Sequence, residues 1–404
     1  MDLPESVWFI LDTLNQNRYE AFVVGGCVRD SLMGIEPKDY DIATSATPLQ
    51  IKPLFEKTFD TGIKHGTITV VVDGVNFEVT TYRIDGEYKD GRRPVKVSFA
   101  NKLIDDLIRR DFTINAIAYH GRTGYIDPYD GLDDIDDMCI RGVGDPAKRY
   151  QEDALRMLRC IRFASQLGFY IERETYQALI DNASLISQIS IERVRDEIIK
   201  TFLGGDVEKS ILLINTGIIS HINIKLSNYL EEHLTESVPY IERANKDITD
   251  RFIILFRNAT DAELLEFLKF LKFSNEQIKT ITTLKKYVNV KLRNGLYSVR
   301  KVMAVLGLDM FLKLVSVKRA LGDDMSKIII TKNKIIKNND PISLRDLKID
   351  GNVLKNNNIC DGKQMGEVLN YLLDCVLRDP TRNTRETLLT LAEKSDILRE
   401  IKID

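Results

Sequence analysis

The amino-acid sequence predicts an α+β protein in which a small mixed or antiparallel β-sheet head precedes an elongated, all-helical remainder. Three observations lead to this prediction. Strand-like runs and a hairpin signal are concentrated in the first 140 residues. Beyond Gly142–Pro146 the apolar residues recur with helical spacing to the end of the chain. The length of 404 residues is enough for about two or three domains, each able to bury its own core.

The first predicted elements follow one another closely along the chain. An amphipathic helix is expected over residues 4–17. The apolar run Ala21–Val24 is predicted to be a buried strand that ends at Gly25-Gly26. A short helix should then run from residue 28 to residue 33 and end at Gly34, because glycine readily adopts the left-handed conformation that closes helices.

Further strand signals follow this helix. Lys38–Ile42 is predicted to be a strand, and Thr67–Val72 and Val75–Thr80 flank Asp73-Gly74, a pair typical of two-residue hairpin turns. Residues 82–96 are rich in glycine and charge, which predicts a mobile loop.

Two breaks divide the predicted helical remainder. They lie at Gly204-Gly205 and at Asn338–Pro341, where residues that favour turns are clustered. Together with the end of the β-rich part, these breaks predict four segments, at 1–140, 141–205, 206–337 and 338–404.

The composition excludes several classes of protein. Apolar residues make up 44% of the chain and charged residues 29%, which argues against disordered and fibrous proteins. No apolar run has the length of a membrane helix, and Met1–Glu5 is acidic where a secretory signal would be basic. We therefore expect a cytoplasmic protein that does not associate with membranes. The five cysteines are far apart and are expected to be reduced, buried thiols.

A net charge of −3 hides a strong segregation of charge along the chain. Residues 285–337 contain thirteen Lys or Arg and three Asp, a local charge of +10, whereas residues 127–137 contain six aspartates. A basic segment of this kind is either a solvated helix face or a surface that binds a polyanion. The sequence leaves both interpretations open.

A pair of acidic residues is the first candidate for catalysis. Asp39 and Asp41 are two residues apart on a predicted strand and should share one face. A divalent cation between such carboxylates relieves their repulsion. Upstream, Gly25 and Gly26 allow backbone N–H groups to approach a phosphate, and Arg29 adds a bidentate donor. This order is typical of polymerase-β-like nucleotidyltransferases, which use metal-dependent phosphoryl transfer.

Glu78 is a candidate third carboxylate. It shares the polar face of its predicted strand with Asn76 and Thr80. A charged residue on a solvated strand face explains the same pattern. The predicted metal site is therefore restricted to Asp39 and Asp41.

Two arginine-rich clusters complete the candidate site. Arg109–Ala116 joins a basic pair to an acid and an amide, and by itself would be a helix start capped by Asp111. Within Glu152–Phe163, four charged residues recur at i, i+3 spacing and are predicted to form one polar ridge on a helix: Asp153, Arg156, Arg159 and Arg162. Because the three arginines have no matching acids in the ridge, we expect them to bind an anion.

In this order, the motifs resemble those of the class II tRNA nucleotidyltransferases, the CCA-adding enzymes of bacterial type. The matching stretches include VVGGCVRDSLMG, KDYDIATSATP, RRDFTINAIAY and EDALRMLRCIRFASQLGF, and the similarity extends over nearly the whole chain. The resemblance implies a catalytic head at 1–140, a base-recognising neck at 141–205, and a tRNA-binding body and tail at 206–337 and 338–404. It also implies Mg²⁺-dependent addition of C, C and A to the 3′ end of tRNA from CTP and ATP, with release of pyrophosphate.

The resemblance also implies roles for individual residues. Asp39 and Asp41 would bind the catalytic Mg²⁺, and Asp111 would meet the ribose. The other contacts to the incoming nucleotide, mostly to its triphosphate, would come from Gly25, Gly26, Arg29, Arg110, Arg159 and Arg162. Asp153 and Arg156 would read the base.

Base reading by this pair has a chemical reason. Cytosine and adenine both present an amino donor beside a ring-nitrogen acceptor, which suits a carboxylate next to a guanidinium group. Guanine and uracil present the reverse pattern and would leave groups unpaired. Taken alone, the same two residues would form an ordinary i, i+3 surface pair.

Several alternative functions stay open at this stage. The enzyme could be an A-adding or a CC-adding half-enzyme, although a loop at residues 82–94 favours full CCA addition or the A-adding half. A bacterial poly(A) polymerase shares the motifs but usually carries long basic extensions, which are absent from this sequence. A non-catalytic tRNA-binding protein is disfavoured because both Asp39 and Asp41 are present. The basic segment 285–337 would lie along the tRNA backbone. The sequence does not predict the oligomeric state.

Overall fold

The computed structural model describes residues 1–85, 97–362 and 364–395. The chain forms two compact units. The first consists of Met1–Val238 with Phe270–Lys272, and the second of Pro239–Lys269 with the described residues from Phe273 onward. The four segments expected from the sequence are a finer division than these units and stay a prediction. Most of the predicted loop at 82–96 lies outside the described residues. In its described part the loop prediction is wrong, because Arg83–Asp85 is extended and pairs with Val97–Phe99.

A seven-stranded mixed sheet lies in the first unit, in the order β3-β4-β5-β2-β1-β8-β9. All neighbouring strands are antiparallel except β2 and β5. The strands are β1 (Ala21–Val24), β2 (Asp41–Thr44), β3 (Thr58–Gly62), β4 (Thr67–Val72), β5 (Val75–Thr81), β8 (Ala118–His120) and β9 (Gly124–Ile126). Two small sheets pair β6 (Arg83–Asp85) with β7 (Val97–Phe99) and β10 (Cys139–Ile140) with β11 (Tyr170–Ile171).

The predicted hairpin is confirmed. Asp73 and Gly74 have φ values of 50° and 79°, so both adopt the left-handed conformation that a type I′ turn requires. Strand β1 is also confirmed. Strand β2 begins only at Asp41, later than predicted, because its partner β1 ends at Val24 and offers no pairing to earlier residues. Asp39 therefore precedes the strand rather than lying within it.

Among the described residues of the first unit, twelve α-helices begin. They are α1 (Glu5–Gln16), α2 (Gly26–Leu32), α3 (Pro48–Ile51), α4 (Leu103–Leu107), α5 (Gly131–Asp136), α6 (Pro146–Glu152), α7 (Leu155–Leu167), α8 (Arg173–Asn182), α9 (Ile191–Phe202), α10 (Leu212–Asn215), α11 (Ile218–Ile222) and α12 (Ile224–Arg243). Helix α1 agrees with the predicted amphipathic helix and buries Val7, Ile10, Leu11 and Leu14. Helix α2 begins two residues earlier than predicted.

The described part of the second unit is helical from residue 248 onward. Its helices are α13 (Ile248–Leu255), α14 (Asp261–Phe270), α15 (Asn275–Val288), α16 (Leu296–Ala320), α17 (Ser326–Lys337), α18 (Gly351–Asn356), α19 (Gln364–Arg378) and α20 (Arg385–Glu393). A separate apolar core, which includes Leu354, Val368 and Leu388, packs the last three helices. Within the part of the chain that the structure describes, the predicted helical remainder contains one strand, β11, which is extended because it pairs with β10.

Two predictions from composition can be compared with the structure. All five cysteines are free and buried, as predicted: Cys27, Cys139, Cys160, Cys360 and Cys375. Within the described ranges, each helix is too short or too polar to cross a lipid bilayer.

Candidate active site

Three acidic residues lie near one another at one end of the central strands. Asp41 is the first residue of β2, and the parallel register places Glu78 of β5 directly beside it. Asp39 is two residues before Asp41, and all three residues are exposed. Protein atoms that displace water raise the pKa of Asp41, Arg110 lowers it, and the Glu78 and Asp39 carboxylates raise it. The net effect is a raised pKa for Asp41, and the displacement of water is its largest cause.

These residues fit a metal ion that is bound together with a phosphorylated substrate. Within the described residues, no three acidic, histidine or cysteine side chains are grouped closely enough to hold a metal ion by themselves. Mg²⁺ is commonly bound by one or two carboxylates and completed by substrate phosphates. Asp39 and Asp41 can supply the protein ligands in such an arrangement. The structure also brings Glu78, which the predicted site left out, to the same edge.

Gly25 and Gly26 follow strand β1 and line a cavity next to these carboxylates. Gly25 follows the last residue of β1 and has φ 78° and ψ −132°, a conformation that only glycine adopts readily. A Cβ atom at Gly25 would lie 2.8 Å from Nη1 of Arg110. Glycine therefore allows the Arg110 guanidinium to approach the backbone beside the carboxylates.

A cavity of about 400 Å³ lies next to this turn. Its charged lining residues, together called the arginine cavity below, are Arg29, Arg109, Arg110, Arg156, Arg159, Arg193, Asp111 and Asp153. Six arginines and two aspartates leave an excess of four positive charges, which suits a polyanionic ligand such as a triphosphate. Gly25 and Gly26 also line this cavity. The structure thus brings eight of the eleven predicted site residues together; Asp39, Asp41 and Arg162 lie outside the lining.

Asp111 holds one side of the arginine cavity in place. It is buried and accepts hydrogen bonds from the Phe112 backbone at 2.9 Å, from Asn115 Nδ2 at 3.1 Å and from Arg159 Nε at 2.7 Å. Burial alone would raise the pKa of Asp111, but Arg159 and Asn115 lower it far below its usual value. Asp111 is therefore ionised at neutral pH. Asn115 also accepts a 2.6 Å hydrogen bond from Arg29 Nη1, which joins the glycine-pair helix to this network.

The predicted four-residue ridge is broken at its first member. Helix α6 ends at Glu152, and Asp153 is extended, with φ −143° and ψ 102°, before α7 begins at Leu155. Oδ1 of Asp153 accepts from the Leu155 backbone N–H at 3.0 Å. A short acidic side chain often competes for backbone donors in this way and interrupts a helix. Only the three arginines lie on α7.

Acids from outside the ridge pair with all three of these arginines, and the expected binding of an anion stays a prediction. Arg156 pairs with Glu152 at 2.8 Å, and Arg159 pairs with Asp111. Arg162 lies 3.1 Å from Glu197, and burial lowers the pKa of Arg162 to about 10. Asp111 and Glu197 are far from α7 in sequence, so the spacing of residues within the ridge could not reveal them. Acids outside the lining, Asp30, Asp106 and Glu152, also pair with other arginines of the cavity, so the excess of four positive charges is that of the lining residues alone.

Phe163 is a functional candidate that the sequence prediction missed. Its ring lies beneath three guanidinium groups, at 5.1 Å from Arg29, 5.4 Å from Arg159 and 4.2 Å from Arg162. It also packs edge-to-face against Phe112, with ring centroids 5.9 Å apart. Cation–π contacts of this kind hold arginines without neutralising their charge. The available sequence signal was an aromatic residue directly after the last arginine of the ridge.

Exposed carboxylates on a mixed sheet, next to an arginine-lined cavity, define a nucleotidyltransferase. Comparisons with known proteins agree with this class. Residues 21–141 match the family model "Poly A polymerase head domain" and residues 168–229 match "Probable RNA and SrmB- binding site of polymerase A". Residues 243–392 match the second domain model of tRNA nucleotidyltransferases.

Individual relatives narrow the class to one family. The chain is 36% identical to a CCA-adding enzyme of Lactobacillus johnsonii, with 94% of each chain covered, and 36% identical to one of Pediococcus pentosaceus, with 95% and 96% covered. The crystal structure of the Bacillus stearothermophilus CCA-adding enzyme in complex with CTP has a TM-score of 0.87, 29% identity and full coverage of both chains. The chain belongs to the CCA-adding enzyme family.

Proposed function

We propose that this protein adds C, C and A in turn to the 3′ end of tRNA, using CTP and ATP. The observation that carries the proposal is the arginine cavity, which combines an excess of positive charge with an Asp–Arg pair and lies beside the carboxylate edge. The relatives named above are CCA-adding enzymes, and one of them was crystallised with CTP. A cytoplasmic location stays a prediction.

The carboxylate edge supports the transfer step. Nucleotidyltransferases of this family use a divalent metal ion, and we infer that here it is Mg²⁺ held by Asp39 and Asp41, with Glu78 as a third candidate. When bound, this ion supplies charge stabilisation as the tRNA 3′-hydroxyl attacks the α-phosphate and pyrophosphate leaves. Arg29, Arg110 and Arg159 face the cavity and are proposed to bind the triphosphate. The predicted nucleotide contact of Arg162 stays a prediction.

Asp111 is proposed to contact the ribose because it lines the arginine cavity. Its Oδ1 accepts from the Phe112 backbone and from Asn115, and two nitrogens of Arg159 contact its Oδ2, so a ribose hydroxyl would share this carboxylate with Arg159. Arg159 fixes the orientation of this carboxylate from α7. A hydroxyl contact at this position would favour ribonucleotides over deoxyribonucleotides.

Asp153 and Arg156 are proposed to read the base. Arg156 donates to the carbonyls of Arg149 and Arg109 and to Glu152, which uses three of its five N–H donors. The remaining donors can meet the ring-nitrogen acceptor of cytosine or adenine. The Asp153 carboxylate can accept from the amino group on the same edge of the base.

Half-reactions distinguish this function from its alternatives. Purified protein with Mg²⁺ is given tRNA that ends at the discriminator base with CTP alone, or tRNA that ends in CC with ATP alone. We expect addition of two nucleotides in the first reaction and one in the second. Activity in only one of the two would indicate a CC-adding or an A-adding half-enzyme. Long A tails would indicate a poly(A) polymerase, and no extension would indicate a binding protein.

The basic segment 285–337 is only partly accessible to RNA. Arg300 and Lys318 are buried and pair with Asp340 and Asp323, so they support the fold of the second unit instead. Three further lysines of the segment pair with acids outside it: Lys285, Lys301 and Lys313. The expectation that the whole segment lies along tRNA is therefore too broad.

A better candidate for tRNA contact is a cleft of about 510 Å³ in the second unit, called the basic cleft below. It is lined by Arg243, Arg319 and Lys332, and none of its nine lining residues is acidic. Within the described part of the chain, these three cations form no ion pair. Cations that converge without a counter-charge favour a phosphate backbone.

Charge reversal in the basic cleft is expected to weaken tRNA binding. The double variant Arg319→Glu, Lys332→Glu should raise the Kd for tRNA. It should also reduce the slope of log K against the logarithm of the salt concentration by about one for each phosphate contact that is lost. The control is Lys327→Glu, Lys334→Glu, which makes the same charge change on α17 outside the cleft lining. Fluorescence anisotropy with labelled tRNA at several salt concentrations measures the Kd and its salt dependence for each double variant. Equal weakening by the two double variants would contradict a specific role for the cleft.

A further inference from the structure

Arg193 is a cavity residue for which the sequence analysis and the proposed function name no role. It lies on α9, and its Nη2 donates to Oδ2 of Asp153 at 3.0 Å. The other Asp153 oxygen accepts from the Leu155 backbone. Both oxygens are therefore held, one by the start of α7 and the other by α9. Two fixed points define the plane of the carboxyl group, so Asp153 cannot rotate freely about its side-chain bond.

The second terminal nitrogen of Arg193, Nη1, indicates that a ligand binds in the cavity. Nη1 is shielded from solvent, yet it has no hydrogen-bond partner among the described residues. A buried donor without an acceptor is costly, and native structures rarely tolerate one. Because Arg193 lines the arginine cavity, a bound nucleotide is the natural source of the missing acceptor. The same guanidinium thus faces both Asp153 and the space that a nucleotide would fill.

We propose that Arg193 is a specificity-determining residue, which holds the Asp153 carboxylate in the orientation that accepts a hydrogen bond from the amino group of cytosine or adenine. This inference rests on the proposed function, because it needs Asp153 to face the base. An ionised carboxylate only accepts hydrogen bonds, whereas uracil presents a carbonyl acceptor at the equivalent position. Two acceptors facing each other are unfavourable, so a fixed carboxylate rejects UTP.

Removal of Arg193 should affect nucleotide choice more than overall activity. In Arg193→Met the carboxyl group of Asp153 loses one of its two hydrogen-bonded anchors and can rotate, so that its oxygens need no longer face the uracil carbonyl. On tRNA that ends at the discriminator base, we expect the ratio of kcat/KM for CTP over UTP to fall by roughly tenfold or more. Arg193→Lys keeps a positive donor without the planar fork, so it should restore part of the ratio.

A matched control lies two residues further along the same helix. Arg195 donates to Asp196 and to the carbonyl of Lys272, and it does not line the arginine cavity. Arg195→Met also removes one guanidinium group from α9, and it should leave the ratio of kcat/KM for CTP over UTP unchanged. The melting temperature of each variant shows whether it is folded. If Arg193→Met does not fold, Arg193→Lys supplies the comparison and should give a ratio below that of the wild type.

The outcomes separate this inference from the proposed function. A lowered ratio in the folded Arg193 variant and a wild-type ratio in Arg195→Met would support the role of Arg193. An active, folded Arg193 variant with the wild-type ratio would overturn it while leaving the proposed function intact. An equal fall in the Arg195→Met control would also overturn it. If the wild-type protein adds neither nucleotide, the proposed function itself fails.

Discussion

Asp41→Asn is expected to abolish nucleotide addition while leaving tRNA binding unchanged. The amide has the shape of the carboxylate but lacks the charge needed to bind a divalent metal ion. Metal-assisted stabilisation of the transition state is worth several kcal/mol, and each 1.4 kcal/mol is tenfold in rate, so kcat should fall by roughly a thousandfold or more. Single-turnover addition of CMP measures this effect, and anisotropy with labelled tRNA measures binding.

Stability distinguishes a catalytic role of Asp41 from a structural one. Displacement of water and the neighbouring carboxylates raise the pKa of Asp41 above 3.8, so its negative charge is unfavourable in the folded protein at neutral pH. Asn at this position should therefore not lower the free energy of unfolding. Asp73→Asn is the matched control, because Asp73 is exposed in the hairpin turn and asparagine tolerates its positive φ. Full activity of Asp41→Asn would contradict the proposed site.

Asp106→Ala is expected to cause the largest loss of stability among the variants considered. Asp106 on α4 is 1% exposed and accepts hydrogen bonds from Arg109 at 2.6 Å and Arg110 at 3.1 Å. Its removal takes an acidic partner away from two largely buried guanidinium groups. Breaking a buried ion pair in this way costs about 3–5 kcal/mol of the free energy of unfolding. Because Arg110 also lines the arginine cavity, the KM for CTP and ATP should rise. Chemical denaturation and steady-state kinetics measure the two effects.

The neighbouring residue Asp105 is the control for this variant. Both aspartates are in the first turn of α4, so their effects on the helix dipole are similar. Among the described residues, the Asp105 carboxylate forms no hydrogen bond or ion pair with an arginine. Asp105→Ala should therefore change the free energy of unfolding by about 0.5 kcal/mol or less. A loss in Asp105→Ala equal to that in Asp106→Ala would contradict the assigned role of the buried ion pairs.

The contribution of Asp106 should also depend on pH. Burial alone would raise its pKa, but Arg109 and Arg110 lower the pKa of Asp106 below its usual value of 3.8. A lowered pKa in the folded state stabilises the protein above the unfolded pKa, and this stabilisation is lost as the pH falls through the folded value. The stability difference between the wild type and Asp106→Ala should therefore be largest above about pH 4 and shrink in more acidic solution.

Local patterns were enough to predict most of the elements that carry the site. The Asp-Gly turn sets the β4–β5 hairpin, and the run Ala21–Val24 forms β1 as predicted. The start of β2 was misplaced, because strand limits depend on where the pairing partner ends, which is a property of the whole sheet. The helix break at Asp153 was missed for a different reason. A side chain that bonds the backbone at Leu155 changes the local conformation without altering the charge periodicity.

The candidate site could be predicted only where its residues belong to compact motifs. Gly25, Arg110 and Arg156 belong to such motifs, and the structure brings them to one cavity. The partners that set their geometry lie elsewhere in the sequence. Arg193 is 40 residues from Asp153, and Glu197 likewise reaches α7 from α9. Contacts of this kind arise from helix packing, so neither residue spacing nor periodicity along the chain indicates them.

One protein is proposed to select C, C and then A without a nucleic-acid template. The most direct measurement supplies all four nucleotides and Mg²⁺ to tRNA that ends at the discriminator base, and resolves and sequences the products at single-nucleotide length. The proposed function predicts products extended by one, two and three nucleotides, with the sequence CCA at full length and no further addition. Products that contain G or U, that begin with A, or that continue as a long A tail would contradict it.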